Sequence, residues 1–65
     1  SIKQLFLEIL NKQKEPKKQI IAMNLIDDES QRKIAKKFNY SAAHVSRIIK
    51  NFKNELREKL EIENE

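Results

Sequence analysis

Apolar residues recur along this chain at the spacing of helices. Ile2, Leu5, Phe6, Ile9 and Leu10 fall at i, i+3, i+4, i+7 and i+8, the signature of one helical face. Glu15-Pro16 disfavours continuation, so this first helix is expected to end near Lys14. Pro16 suits the first turn of a second helix, where its missing N–H costs nothing. Ile20, Ile21, Met23 and Leu25 supply the buried positions of that helix. Asp27-Asp28-Glu29 forms an acidic break, and its charges favour the positive N-terminus of a third helix. Ser30 is the expected N-cap there, with Ile34, Ala35 and Phe38 facing inward. A short turn at Asn39-Tyr40 follows. Ser41 then caps a long last helix whose stripe runs through Val45, Ile48, Ile49, Phe52, Leu56 and Leu60. An i, i+4 pair, Glu55–Lys59, is expected on its outer side, and the acidic tail from Glu61 to Glu65 is expected to fray. The pattern predicts an all-α, four-helix domain over residues 1–65, with a helix-turn-helix at 30–53 as its C-terminal part.

Composition narrows the picture. The chain has 65 residues and no glycine, which suits helices and not hairpins. It has no cysteine, which removes disulfides, thiolate metal sites and cysteine nucleophiles. A reducing, cytoplasmic setting fits that composition. No apolar run is long enough to span a bilayer and no secretory signal is visible, so no membrane partner is expected. A chain of this size has little room for an enclosed enzyme cleft. No paired acid and base, nucleophile or phosphate loop can be assembled, so the chain is not read as an enzyme. His44 is the lone histidine and has no cysteine to join it, so no metal or other cofactor is expected. The start at Ser1 fits a segment cut from a longer protein.

Charge is more informative than composition. From Ser30 to Lys53 the chain carries Arg32, Lys33, Lys36, Lys37, Arg47, Lys50 and Lys53 and no carboxylate. The net charge is +4, so the remainder of the chain is net negative. An acid-free basic stretch that coincides with two predicted helices marks a contact surface for a polyanion. Spacing around the turn adds to this. Ala35 lies four residues before Asn39, while Val45 and Ile48 lie six and nine after it. A small residue, a turn former that tolerates positive φ, then two buried aliphatics is the helix-turn-helix arrangement.

Together, Pro16, Ile20, Ile21, Ser30-Gln31, Ile34-Ala35, Ser41, Val45-Ser46-Arg47 and Leu56-Arg57 resemble the C-terminal domain, region 4, of sigma-70 family RNA polymerase sigma factors. The match needs no insertion or deletion from Pro16 to Leu60, and Leu5 to Leu10 fits the helix that precedes the motif in that family. Two departures stand out. Asn39-Tyr40 replaces the family's glycine and hydrophobic residue at the turn, and Asp27-Asp28-Glu29 replaces the usual glycine-containing break. They point to a divergent, specialised, phage- or plasmid-encoded member.

The resemblance implies binding to the -35 promoter element of double-stranded DNA. It also implies docking on the flap of the RNA polymerase β subunit, with anti-sigma proteins competing for the same apolar surface. Leu5, Leu7, Ile9, Met23 and Ile26 are candidates for that surface, although a core role is expected for them in so small a chain. With Val45, Ile48 and Ile49 turned inward, Ala42, Ala43, Ser46 and Arg47 are left to read bases. Arg47 is the first choice, because a guanidinium binds guanine bidentately; Ala42 and Ala43 suit thymine methyls. Gln31, Arg32, Lys33, Lys36, Lys37, Ser41, His44 and Lys50 are read as contacts to the DNA backbone, which position the protein. Tyr40 is expected to pack the turn, not to stack on bases. The competing readings are a LuxR-type or other helix-turn-helix regulator, and a docking module without specific DNA contact. Val45-Ser46-Arg47 favours the first reading over the LuxR type, where Lys-x-His usually follows the valine.

Overall fold

A computed structural model describes residues 1–63. The described residues form four helices, α1 (Ile2–Lys12), α2 (Lys17–Leu25), α3 (Gln31–Phe38) and α4 (Ala42–Glu63). The all-α reading therefore holds. α4 is the organising element, because it packs against each of the other three helices. At 22 residues it is about 33 Å long at 1.5 Å per residue. Among the described residues no helix is long and apolar enough to cross a membrane.

The core draws on every helix. Leu5, Ile9 and Leu10 meet Ile20, Ile21 and Met23, then Ile34 and Ala35, and finally Val45, Ile48, Ile49 and Phe52. Phe6 closes the α1 side, its ring meeting that of Phe52 edge-on at 5.3 Å and 84°. No polar or charged residue is buried among the described ones, so the core gains stability from apolar burial alone.

Several boundaries and faces differ from the sequence reading. α1 ends at Lys12, not Lys14, because Gln13 adopts an extended backbone. Its side-chain amide donates to the Ile9 carbonyl at 3.2 Å and to Glu55 Oε1 at 3.3 Å. That second bond ties the end of α1 to α4. It also uses the Glu55 carboxylate expected to pair with Lys59, and no ion pair within 4.0 Å joins those two. Pro16 occupies the N-cap position of α2, after a cis Glu15–Pro16 peptide. Glu15 Oε1 accepts from the Gln19 N–H at 3.0 Å, placing a negative group at the start of that helix.

The apolar candidates divide as well. Leu5, Ile9 and Met23 are buried, as expected, whereas Leu7 and Ile26 are 42% and 55% exposed. Ile2, counted on the apolar face of α1, is exposed at the helix start, beyond the reach of the core. Leu25 and Phe38 are half-buried at helix ends and pack on the edge of the core. The tail expected to fray is helical through Glu63; Asn64 and Glu65 lie outside the described residues.

The break between α2 and α3 is tightly held. Asp28 adopts φ 63, the left-handed conformation that Asp tolerates better than most non-glycine residues. The Asp27 N–H donates to the Ala22 carbonyl at 3.1 Å and the Glu29 N–H to the Met23 carbonyl at 3.0 Å. Asn24 Nδ2 adds a bond to the Glu29 carbonyl at 2.8 Å. Asp28 thus supplies the positive φ of this glycine-free break.

Candidate nucleic-acid interface

The site is built on the connection between α3 and α4. Ser30 Oγ accepts from the Lys33 N–H at 3.1 Å, so the third helix starts at the expected residue. Its other end closes on Asn39, at φ 58 and ψ 40, the left-handed conformation predicted for it. The Tyr40 N–H reaches back to the Ala35 carbonyl at 2.9 Å, which locks the turn over the end of α3. Ser41 Oγ then accepts from the His44 N–H at 3.0 Å. Three residues, Asn39 to Ser41, therefore separate the two helices.

Ser41→Ala removes that cap and is expected to cost about 1 kcal/mol. In a domain of this size the melting temperature should fall by about 4–8 °C. A melting curve superimposable on that of the parent would remove Ser41 from the start of α4.

Aromatic packing holds the turn. The Tyr40 ring lies 6.2 Å from Phe38 and 4.5 Å from His44 between centroids. Tyr40 is half-buried, in keeping with a turn-packing role. His44 stays exposed but is braced on one side by this ring.

Burial divides α4 along its length. Val45, Ile48, Ile49 and Phe52 are all at most 7% exposed and fix one face to the core. Ala42, Ala43, Ser46 and Arg47, the base-reading candidates, are all exposed, as are Ser41, His44 and Lys50. At about 100° per residue, Ala43, Arg47 and Lys50 lie nearly opposite Val45, on the outermost ridge of the helix. The other backbone candidates come from α3. Arg32, Lys33, Lys36 and Lys37 are exposed, and Gln31 is half-buried at the helix start. One of them is engaged within the chain: Lys33 Nζ stands 3.9 Å from Glu29 Oε1. A pair this exposed contributes little stability, but it draws part of the Lys33 charge toward the acidic break.

Two shallow grooves flank the outer ridge of α4. One, of about 250 Å³, lies against the junction of α1 and α2 and is lined by Gln13, Lys17, His44, Arg47, Asn51 and Glu55 above Ile48 and Phe52. The other, of about 360 Å³, lies beside the start of α3 and is lined by Gln31, Ser46, Lys50, Lys53, Asn54 and Arg57 above Ile49. Lys17, Asn51, Lys53, Asn54 and Arg57 were not among the sequence-selected site residues. For Lys53 and Arg57 the signal existed: they stand three and seven residues after Lys50, on one helical stripe. A count of charge along the linear chain includes Lys53 but stops at Glu55 and misses Arg57. Lys17 comes from a distant element, and only the packing of α2 on α4 brings it to the first groove.

Among the described residues no cluster of three or more His, Cys, Asp or Glu is placed to hold a metal ion. No family model, curated protein or solved structure matches this chain.

Proposed function

We propose that this chain is a sequence-specific DNA-binding domain of a sigma factor. In this reading the first turns of α4 enter the major groove of the -35 promoter element, while α3 and its lysines lie across the phosphate backbone. The observation that carries it is the exposed face of α4 around Arg47, held by a closed turn and bordered by cations without an acid from Ser30 to Lys53. A major groove admits one α-helix, and Arg47 there offers a bidentate pair to a guanine edge. Ser46 offers a hydroxyl to a base or phosphate, and Ala42 and Ala43 offer methyl groups to thymine. The residues shared with sigma region 4, from Pro16 to Arg57, favour that family over other helix-turn-helix regulators. A cytoplasmic location accompanies this function.

The same reading includes the flap of the RNA polymerase β subunit as a protein partner. Of the five apolar candidates for that contact, Leu7 and Ile26 remain exposed, and Leu5, Ile9 and Met23 belong to the core. Docking therefore rests on Leu7 and Ile26, which an anti-sigma protein would cover as well.

The backbone role of α3 has its own test. Replacing Lys36 and Lys37 together by alanine should weaken binding to promoter and scrambled duplexes by the same factor. It should also flatten the slope of log affinity against log salt by about two, since each lost phosphate contact removes roughly one. Fluorescence anisotropy titrations across salt concentrations measure both quantities. An unchanged slope would remove α3 from the DNA backbone.

A further inference from the structure

We infer that the groove between the start of α3 and the middle of α4 seats a stretch of DNA phosphate backbone, so that the contact continues past the helix-turn-helix to Arg57. This rests on the DNA-binding reading and gives it a second contact region. Three cations, Lys50, Lys53 and Arg57, line the groove, with no carboxylate among its lining residues. All three are exposed, and no ion pair within 4.0 Å engages them among the described residues. Ser46 and Asn54 add uncharged donors, and Ile49 closes the floor and fixes α4 to the core.

The dimensions suit a strand of nucleic acid. Lys50 to Arg57 spans seven residues, roughly 10 Å along the helix axis. Successive phosphates of one strand lie farther apart than their 3.4 Å rise along the duplex axis, so this length faces about two of them and the long side chains extend the reach. A flexible ammonium or guanidinium neutralises a phosphate without asking for a particular base. Gln31, the first residue of α3, also lines the groove, at a helix N-terminus whose Lys33 N–H is capped by Ser30 and whose dipole favours an anion. Glu55, between Lys53 and Arg57 in sequence, lines the other groove and accepts from Gln13, and in the break Glu29 is turned toward Lys33. A groove that collects cations from positions 50, 53 and 57 over an apolar floor is built differently from a solvated stripe of mixed charge. The tail end of α4, with Glu58 and Glu61, has that mixed character and ends the track.

The test replaces Lys53 and Arg57 together by glutamine, with Lys59→Gln as a control that removes charge from the same helix but outside the groove. Far-UV circular dichroism first establishes that both variants melt like the parent, as expected for exposed residues. Binding to a preferred duplex and to its scrambled version is then titrated across salt. The double variant should lose affinity for both duplexes alike, on the order of tenfold, and its salt slope should be shallower by about two. Lys59→Gln should leave the slope within experimental error of the parent. A double variant with the parent's affinity and slope overturns the inference and leaves the stripe to an acidic protein surface. An equal change in Lys59→Gln overturns it too, because net charge alone would then explain the effect. A parent chain that binds no duplex even at low salt would fail the DNA-binding reading itself, a result separable from either of these.

Discussion

Phe52→Ala is expected to abolish cooperative folding of the domain. Phe52 is 2% exposed and sits where α4 crosses the other helices, with its ring edge-on to Phe6 at 5.3 Å. Truncation removes a large apolar surface, leaves a cavity and deletes one partner of an aromatic pair. Such changes cost about 3–5 kcal/mol. A single core in a chain this short supplies a similar total, rarely more than about 3–5 kcal/mol. The variant should therefore lose its sigmoidal thermal transition by circular dichroism, while Phe52→Leu, which keeps most of the volume, should retain one at lower temperature. A Phe52→Ala melting curve close to that of the parent would contradict the placement of Phe52 at the centre of the core.

Arg47→Ala is expected to act on recognition and leave folding intact. The side chain is exposed on the outer ridge of α4, and among the described residues no ion pair within 4.0 Å engages it. Its loss should reduce discrimination between the preferred duplex and a scrambled one by about 1–3 kcal/mol. Because a phosphate contact alone carries no sequence information, Lys50→Ala should lower both affinities together. The ratio of the two dissociation constants separates these roles. A ratio that Arg47→Ala leaves unchanged would remove Arg47 from base reading.

The turn was readable from the sequence because backbone chemistry singles out its residues. Asn39 tolerates positive φ, Ser30 and Ser41 accept first-turn N–H groups, and all three do so in the structure. The core of α4 was equally plain, since Val45, Ile48, Ile49 and Phe52 form a single stripe. In and just after α2 the apolar residues Ile20, Ile21, Met23, Leu25 and Ile26 spread around the helix, and a core role was expected for all of them. Packing chose, burying Met23 and leaving Ile26 outside. The left-handed Asp28 was hidden because a run of three acids reads first as charge. The Gln13–Glu55 bond joins positions 42 residues apart, a separation at which local spacing carries no signal. Within the site, the exposed candidates on α3 and α4 lie where helical geometry places them. The continuation of the basic track from Lys53 to Arg57 required following the helix instead of the chain.

The central claim is that the exposed face of α4 reads a DNA sequence. Selection from a pool of random-sequence duplexes, followed by sequencing of the bound fraction, tests it most directly. The parent chain should enrich one short motif, and Arg47→Ala should flatten the enrichment at one or two of its positions while the others persist. A bound pool with the same composition as the input, from a folded chain at low salt, would contradict the claim.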